Sequence, residues 1–267
     1  MEEDAETEAV QEVKRYVYAG FDRKVFPAAP ACPGCGELLA LKIALQVIEN
    51  PLLVSNLECA KPLEKIIPML SFPDVASSAS IASKIIKADE TIKKKPVVLC
   101  YSNDNDAFEN IQPLLTSAKA GDDVLYICYN KQVFGRSISR IVMSNASYNA
   151  TASLSHYEDF VKKIQKSLAK PGFRFIEVLA PCPAEWRYEP ANTILISSHA
   201  VETAYWPLYE IENKRLTLTV IPSKIEPVKS YLDMQKKIKM SEEQSAKLQE
   251  KINEEWKMLK EGKTFLR

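Results

Sequence analysis

With 267 residues and a hydrophobic content of 46%, the chain has material for one large globular domain, or for one domain with appendages. Lysine plus arginine balance aspartate plus glutamate at 35 each, so no net field draws it to nucleic acid or to an anionic membrane. No apolar run approaches the roughly 20 residues that span a bilayer, and Met1-Glu2-Glu3-Asp4 is acidic where an export signal would be basic.

A cytoplasmic protein without membrane insertion is the expectation. In that compartment six cysteines are better read as metal ligands and core thiols than as disulfides. The stretch to Val13 is acidic and alanine-rich, a short helix or an arm, and 1–14 forms a segment of its own ahead of the main domain. From Leu38 to Ile48 apolar residues run nearly all round a helix, which predicts burial. Leu52-Leu53-Val54 begins a short strand. Ser71 to Lys87 holds a run of small residues, Val75 to Ala82, suited to a helix lying close on a sheet.

Strands are then predicted at 96–101, 123–129 and 173–179, with helices around Glu109–Lys119 and Tyr157–Ala169. Alternation of strands and helices implies crossover connections and a mostly parallel sheet, and continuous apolar strands imply burial on both faces. An α/β domain over 15–205 is therefore expected, followed by a C-terminal hairpin and helical arm over 206–267. The hairpin, Trp206 to Ile221, should turn near Asn213-Lys214 and fall outside the parallel pattern. A charged helix begins after Ser241, whose spacing to Gln244 is that of a capping box. Its stripe of Leu248, Ile252, Trp256 and Leu259 suits either the chain's own domain or a partner subunit.

The cysteines divide in two. Cys100 and Cys128 sit inside strand-like apolar runs and read as core thiols. Cys32 and Cys35 form a Cys-Pro-Gly-Cys pair, Cys59 follows Asn-Leu-Glu, and Cys182 lies in Leu-Ala-Pro-Cys-Pro. One pair plus two separated cysteines has the spacing of an iron–sulfur cluster assembled across a fold. Four thiolates binding zinc is the alternative. His156 and His199 are the only histidines, too few for a histidine-based metal site, and no hydrolase triad has recognisable spacing, so no catalytic residue is assigned. Only seven glycines occur, and Ser102 to Asn110, between two core strands, has none where coenzyme-binding α/β proteins bring backbone against phosphate.

Three segments together carry a family resemblance: Ala31-Cys32-Pro33-Gly34-Cys35-Gly36; Leu179-Ala180-Pro181-Cys182-Pro183 with Trp186-Arg187; and Val201 to Glu210. The chain resembles the β subunit of pyruvate:ferredoxin oxidoreductase and related 2-oxoacid:ferredoxin oxidoreductases from about Arg15 to the terminal helix. The resemblance implies a thiamine-diphosphate-binding-type α/β fold and one [4Fe–4S] cluster on Cys32, Cys35, Cys59 and Cys182. It also implies partner subunits of α, γ and ferredoxin-like δ type, with ferredoxin as electron partner.

The coenzyme side departs from that pattern. Where the family has Gly-Asp-Gly, whose aspartate holds Mg²⁺, this chain reads Ser102-Asn103-Asp104, and Lys131 stands where the family has a further metal-ligand asparagine. Mg²⁺ seeks oxygen ligands, which a fixed ammonium opposes. The segment after Gly135 is also shorter than the family's. These departures predict an electron-transfer subunit holding a cluster but neither thiamine diphosphate nor Mg²⁺, with the Lys131 ammonium against Asp104 or Asp106. Two alternatives stay open. One is a catalytic subunit that decarboxylates a 2-oxoacid with thiamine diphosphate through a shifted loop. The other is a non-redox scaffold stapled by its metal.

Overall fold

The computed structural model describes residue 11 and residues 32–56, 69–70, 74–132 and 137–262. The acidic arm at 1–14, apart from residue 11, and Cys59 fall outside the described residues. Helix α1 (Gly36–Val47) leads to strand β1 (Pro51–Ser55); β2 (Met69–Leu70) and α2 (Val75–Ala88) come after it. Next come β3 (Val97–Asn103), α3 (Asp104–Glu109), α4 (Ile111–Ala120), β4 (Val124–Asn130) and α5 (Ile138–Val142). Then β5 (Tyr148–Ser153), α6 (Tyr157–Leu168), β6 (Arg174–Leu179), the short α7 (Pro183–Trp186) and α8 (Thr193–Glu202) continue the alternation. The chain closes with β7 (Tyr209–Glu212), β8 (Arg215–Leu218), α9 (Val228–Leu232) and α10 (Glu242–Lys260).

The strands form one eight-stranded sheet in the order β2-β1-β3-β4-β6-β5-β7-β8. The first six are parallel, while β7 joins β5 antiparallel and β8 joins β7 antiparallel. The predicted α/β class and mostly parallel sheet are observed. Because successive strand side chains alternate in direction, each central strand feeds two cores. Leu99, Tyr101, Leu125, Ile127, Tyr129 and Ile176 pack under α1 and α6. Val98, Cys100, Val124, Tyr126, Cys128 and Phe175 pack on the other side, beneath α2, α4 and α5. Cys100 and Cys128 are fully buried, as their apolar context predicts.

Strand β5 has no apolar run to announce it. Tyr148, Ala150 and Ala152 face one way, and the buried Asn149, Thr151 and Ser153 alternate with them. These polar groups are tolerated because each is bonded: Asn149 to Ser139 through both amide atoms, Thr151 Oγ1 to the Pro207 carbonyl at 2.7 Å, and Ser153 to the Ser197 carbonyl.

The hairpin turns where predicted, with Asn213 and Lys214 both in the left-handed region at φ 51° and 63°, which matches the twist a two-residue hairpin loop needs. Ser241 and Gln244 complete the predicted capping box. Ile252, Trp256 and Leu259 are buried against Trp186, Tyr209, Leu216 and Tyr231, so the terminal helix packs on its own chain. No helix among the described residues is long and apolar enough to cross a membrane.

Candidate metal centre and remodelled coenzyme loop

Two loops meet at the edge of α1. Cys35 N–H donates to the Cys32 carbonyl at 3.2 Å, closing a turn in which Gly34 takes φ +69°. Immediately after it, Gly36 N–H donates to the Pro181 carbonyl at 3.2 Å, which ties the Cys32–Cys35 loop to the Cys182 loop. The approach is too close for a side chain: a Cβ on Gly36 would lie 2.6 Å from the Pro181 carbonyl oxygen and 2.8 Å from the Ala180 carbonyl carbon. Gly34 is equally confined, its would-be Cβ 2.4 Å from the Pro190 carbonyl oxygen. Thr193 Oγ1 fastens this loop to α8 by donating to the Gly34 carbonyl at 2.7 Å.

Cys35 stands just ahead of α1 as its N-terminal cap residue, next to the main-chain N–H groups of the first turn. Burial pushes the Cys35 thiol up. The main-chain N–H groups of Leu38 and Glu37 oppose that shift, while the Glu37 carboxylate and the neighbouring Cys182 add to it. Cys182 precedes α7 as its cap residue. Tyr188 bridges the two loops: its hydroxyl lies 3.1 Å from Thr193 Oγ1, and burial pushes it up to about 12, with Cys182 and Cys35 close enough to contribute. Cys32 is exposed, and Cys35 and Cys182 are half-buried. Three of the four predicted ligands are thus placed around one junction, and the fourth, Cys59, is outside the described residues. Among the described residues, no group of three or more His, Cys, Asp or Glu side chains is arranged to hold a metal ion.

The stretch at the end of β3 is organised by its own side chains. Ser102 is buried, its Oγ 2.6 Å from the Tyr126 hydroxyl on the neighbouring strand. Asn103 caps α3: its Oδ1 accepts the Asp106 N–H at 2.8 Å and its Nδ2 donates to Asp106 Oδ2 at 2.8 Å. Without glycine the chain passes directly from strand to helix, because an asparagine cap supplies what the first turn needs. Asp104, 2% exposed, accepts the main-chain N–H of Lys131 at 2.9 Å.

Lys131 makes its ion pair elsewhere than predicted. Its ammonium lies 3.1 Å from Glu185 of α7, so the predicted lysine–aspartate link is made by the main chain. The Lys131 carbonyl accepts from Trp186 Nε1 at 3.0 Å and from Lys237 Nζ at 2.9 Å. Lys237 also sits 5.9 Å above the Trp186 ring and 3.4 Å from Glu185. Sequence reasoning missed Glu185 and Lys237. Trp186 lies within a segment that carries the family resemblance, but its role needs the fold, since Lys237 arrives from more than a hundred residues beyond Lys131.

Behind this turn, Glu177 is fully buried on β6 and accepts four hydrogen bonds. They come from Asn130 Nδ2 at 2.7 Å, Ser137 Oγ at 2.5 Å, Ile138 N–H at 3.0 Å and Ser139 N–H at 2.9 Å. Burial nonetheless raises its pKa, against the pull of those donors. Asn130 Oδ1 in turn accepts the Gln132 N–H at 2.6 Å, and Gln132 Oε1 accepts the Tyr231 hydroxyl. A continuous polar chain therefore fixes the Asn130–Gln132 turn, in which Gln132 has φ 55°.

Pyruvate synthase subunit PorB of Methanocaldococcus jannaschii is 30% identical over 283 residues, covering 87% of this chain and 95% of that protein. The chain belongs to the β subunits of 2-oxoacid:ferredoxin oxidoreductases. Ketoisovalerate oxidoreductase subunit VorB of Pyrococcus horikoshii is 26% identical, across 95% of this chain and 97% of that one. Thermotoga maritima PorB is 27% identical, across 85% and 88%. No family model matches the sequence. Among solved structures, 2-oxoglutarate:ferredoxin oxidoreductase from Magnetococcus marinus overlaps 64% of this chain and 68% of its own, with TM-score 0.47 and 14% identity. A putative thiamin diphosphate-dependent enzyme from Mycobacterium smegmatis overlaps 57% and 32%, with TM-score 0.45 and 13% identity. The family is the one to which the two cysteine loops and the Val201–Glu210 segment point.

Proposed function

We propose that this chain is the iron–sulfur electron-transfer subunit of a 2-oxoacid:ferredoxin-oxidoreductase-type complex, holding a [4Fe–4S] cluster on Cys32, Cys35, Cys59 and Cys182 and no thiamine diphosphate of its own. Its partners are α-, γ- and δ-like subunits, with ferredoxin as electron partner. The observation that carries the reading is the Gly36–Pro181 junction, which brings two separate cysteine loops to one place. Thiol donors of which two, Cys35 and Cys182, are half-buried and close enough to influence each other suit an iron–sulfur centre, whose potential depends on hydrogen bonds to sulfur and on burial. Such a cluster supplies one-electron transfer.

The coenzyme side of the reading rests on engagement. Asn103, at the family's metal-ligand position, spends its side chain on α3, and Ser102 is tied to Tyr126. One carboxylate oxygen of Asp104 accepts the Lys131 main-chain N–H, and the residue standing where the family places a further oxygen ligand is Lys131, a cation paired with Glu185. A donor set of this kind does not fit Mg²⁺ with a diphosphate, and no step is assigned to thiamine.

Anaerobically purified protein is expected to be brown and to give a reduced [4Fe–4S] signal in electron paramagnetic resonance. Cys182→Ser should abolish that signal or convert it to that of a smaller cluster. Stoichiometric zinc with no iron would contradict the assignment.

A further inference from the structure

A cavity of about 340 Å³ lies between α10, α5, the β4–α5 connection and the segment that enters β7. None of the described cysteines lines it, and neither do Ser102, Asn103, Asp104 or Lys131. Much of its wall is apolar: Ile141 of α5, Trp206 and Pro207 ahead of β7, and Leu248 and Ile252 of α10. The polar groups that reach it are chiefly donors. Gln132, 7% exposed, commits its Oε1 to the Tyr231 hydroxyl at 2.8 Å, while its Nε2 has no hydrogen-bond partner among the described residues. A buried amide nitrogen left in that state is costly. Its backbone is held at φ 55°, a left-handed conformation that non-glycine residues rarely adopt and that gathers at ligand clamps. Three described charged side chains line the cavity. Arg140 and Glu255 neutralise each other, the guanidinium donating to the two carboxylate oxygens at 3.2 and 2.8 Å. Lys251, one turn before Glu255, makes no ion pair with a described residue, so the described lining carries one net positive charge. Glu177 stands behind Ser137, its oxygens already accepting from four donors.

We infer that this cavity binds a small monocarboxylate with an apolar, ring-sized body. Its acid oxygens accept from Gln132 Nε2 and are drawn by the Lys251 ammonium, and its body lies against Ile141, Trp206 and Leu248. The inference is independent of the metal centre and of the coenzyme position. Small-ligand sites run from roughly 300 to 1,000 Å³, so a cavity at the low end suits a single ring with a short acid arm and not a dinucleotide. An amine would meet Lys251 and find both Glu255 oxygens accepting from Arg140. A carboxylate instead satisfies the amide donor that is otherwise buried without a bond, and a charged acceptor makes the stronger bond.

The test titrates phenylacetate into the purified complex containing this chain by isothermal calorimetry, with phenylacetamide and acetate as comparisons. Phenylacetate should bind once per copy of this chain, about tenfold or more tighter than its amide, and acetate, which lacks the ring, should bind more weakly than phenylacetate. Lys251→Gln, at an exposed position on α10, should weaken phenylacetate about tenfold and leave phenylacetamide unchanged. Leu248→Trp, which fills the cavity from a half-buried position, should abolish binding of both. Gln132→Asn keeps a residue that tolerates positive φ but withdraws the donor, so it should weaken acid and amide alike. Thermal unfolding of each variant checks that it is folded, and the two α10 variants decide the matter if Gln132→Asn is not. No saturable binding of phenylacetate, or binding unchanged in both Lys251→Gln and Leu248→Trp, would overturn the site. Equal affinity for the acid and its amide would overturn the carboxylate assignment.

Discussion

Gly36→Ala is expected to strip iron from the anaerobic protein while leaving most of the sheet intact. The added methyl would meet main-chain atoms, not the yielding end of a side chain: the Pro181 carbonyl oxygen at 2.6 Å and the Ala180 carbonyl carbon at 2.8 Å. Relief requires the Cys182 loop to draw back from the Cys32–Cys35 turn. Overpacking of this kind costs about 1–3 kcal/mol, and the same displacement separates Cys35 from Cys182. Gly121→Ala is the matched control. Its Cβ would meet nothing within 4 Å, so only the left-handed backbone at φ +67° resists, at about 1 kcal/mol. Iron per chain and urea unfolding should therefore dissociate: iron falls in the first variant and stays in the second, while both lose some stability. Full iron in Gly36→Ala would show that the junction does not position the ligands.

Glu177→Ala should destabilise the fold by about 3–5 kcal/mol, since removing a buried acceptor strands its donors and leaves a cavity. Four donors converge on that carboxylate, two of them the first N–H groups of α5, so the β4–α5 connection would lose its anchor. The pH dependence has a definite sign. The folded pKa is raised above the ordinary carboxylate value, so the folded state holds this proton more tightly than the unfolded chain. The resulting stability is fully present below the unfolded pKa and is lost as pH rises through the folded one. Urea midpoints of the wild type should thus decline over the window above the ordinary glutamate pKa. Glu177→Gln should be less stable than wild type yet lack that decline, so the gap between them narrows as pH rises. A gap that widens with pH would mean that the donors outweigh burial.

Much of the fold was legible because its central strands are unusually plain. Val98 to Tyr101 and Leu125 to Tyr129 are buried on both faces and so read as continuous apolar runs, and α1 is apolar nearly all round for the same reason. Strand β5 was not legible, because its buried half is Asn149, Thr151 and Ser153, whose partners Ser139, Pro207 and Ser197 become neighbours only in the fold. The terminal helix was legible in its cap and stripe but not in its destination, which depends on a surface made by Trp186, Leu216 and Tyr231. At the site, cysteine spacing pointed to the junction, and the glycines showed which close approaches make it. The Glu185 partner of Lys131 was not legible, because the resemblance put Lys131 at a metal-ligand position beside Asp104 and Asp106, whereas α7 brings a carboxylate from 54 residues away.

A β chain that contributes a cluster but no thiamine chemistry to its complex can be recognised most directly by what it carries when isolated. The measurement is iron, sulfide and thiamine diphosphate bound to the anaerobically isolated chain, before and after incubation with thiamine diphosphate and Mg²⁺. Iron and sulfide are expected in the proportions of one [4Fe–4S] cluster per chain, with no thiamine diphosphate retained in either sample. Stoichiometric thiamine diphosphate bound at Ser102, Asn103, Asp104 and Lys131 would contradict that expectation and return the chain to a catalytic role.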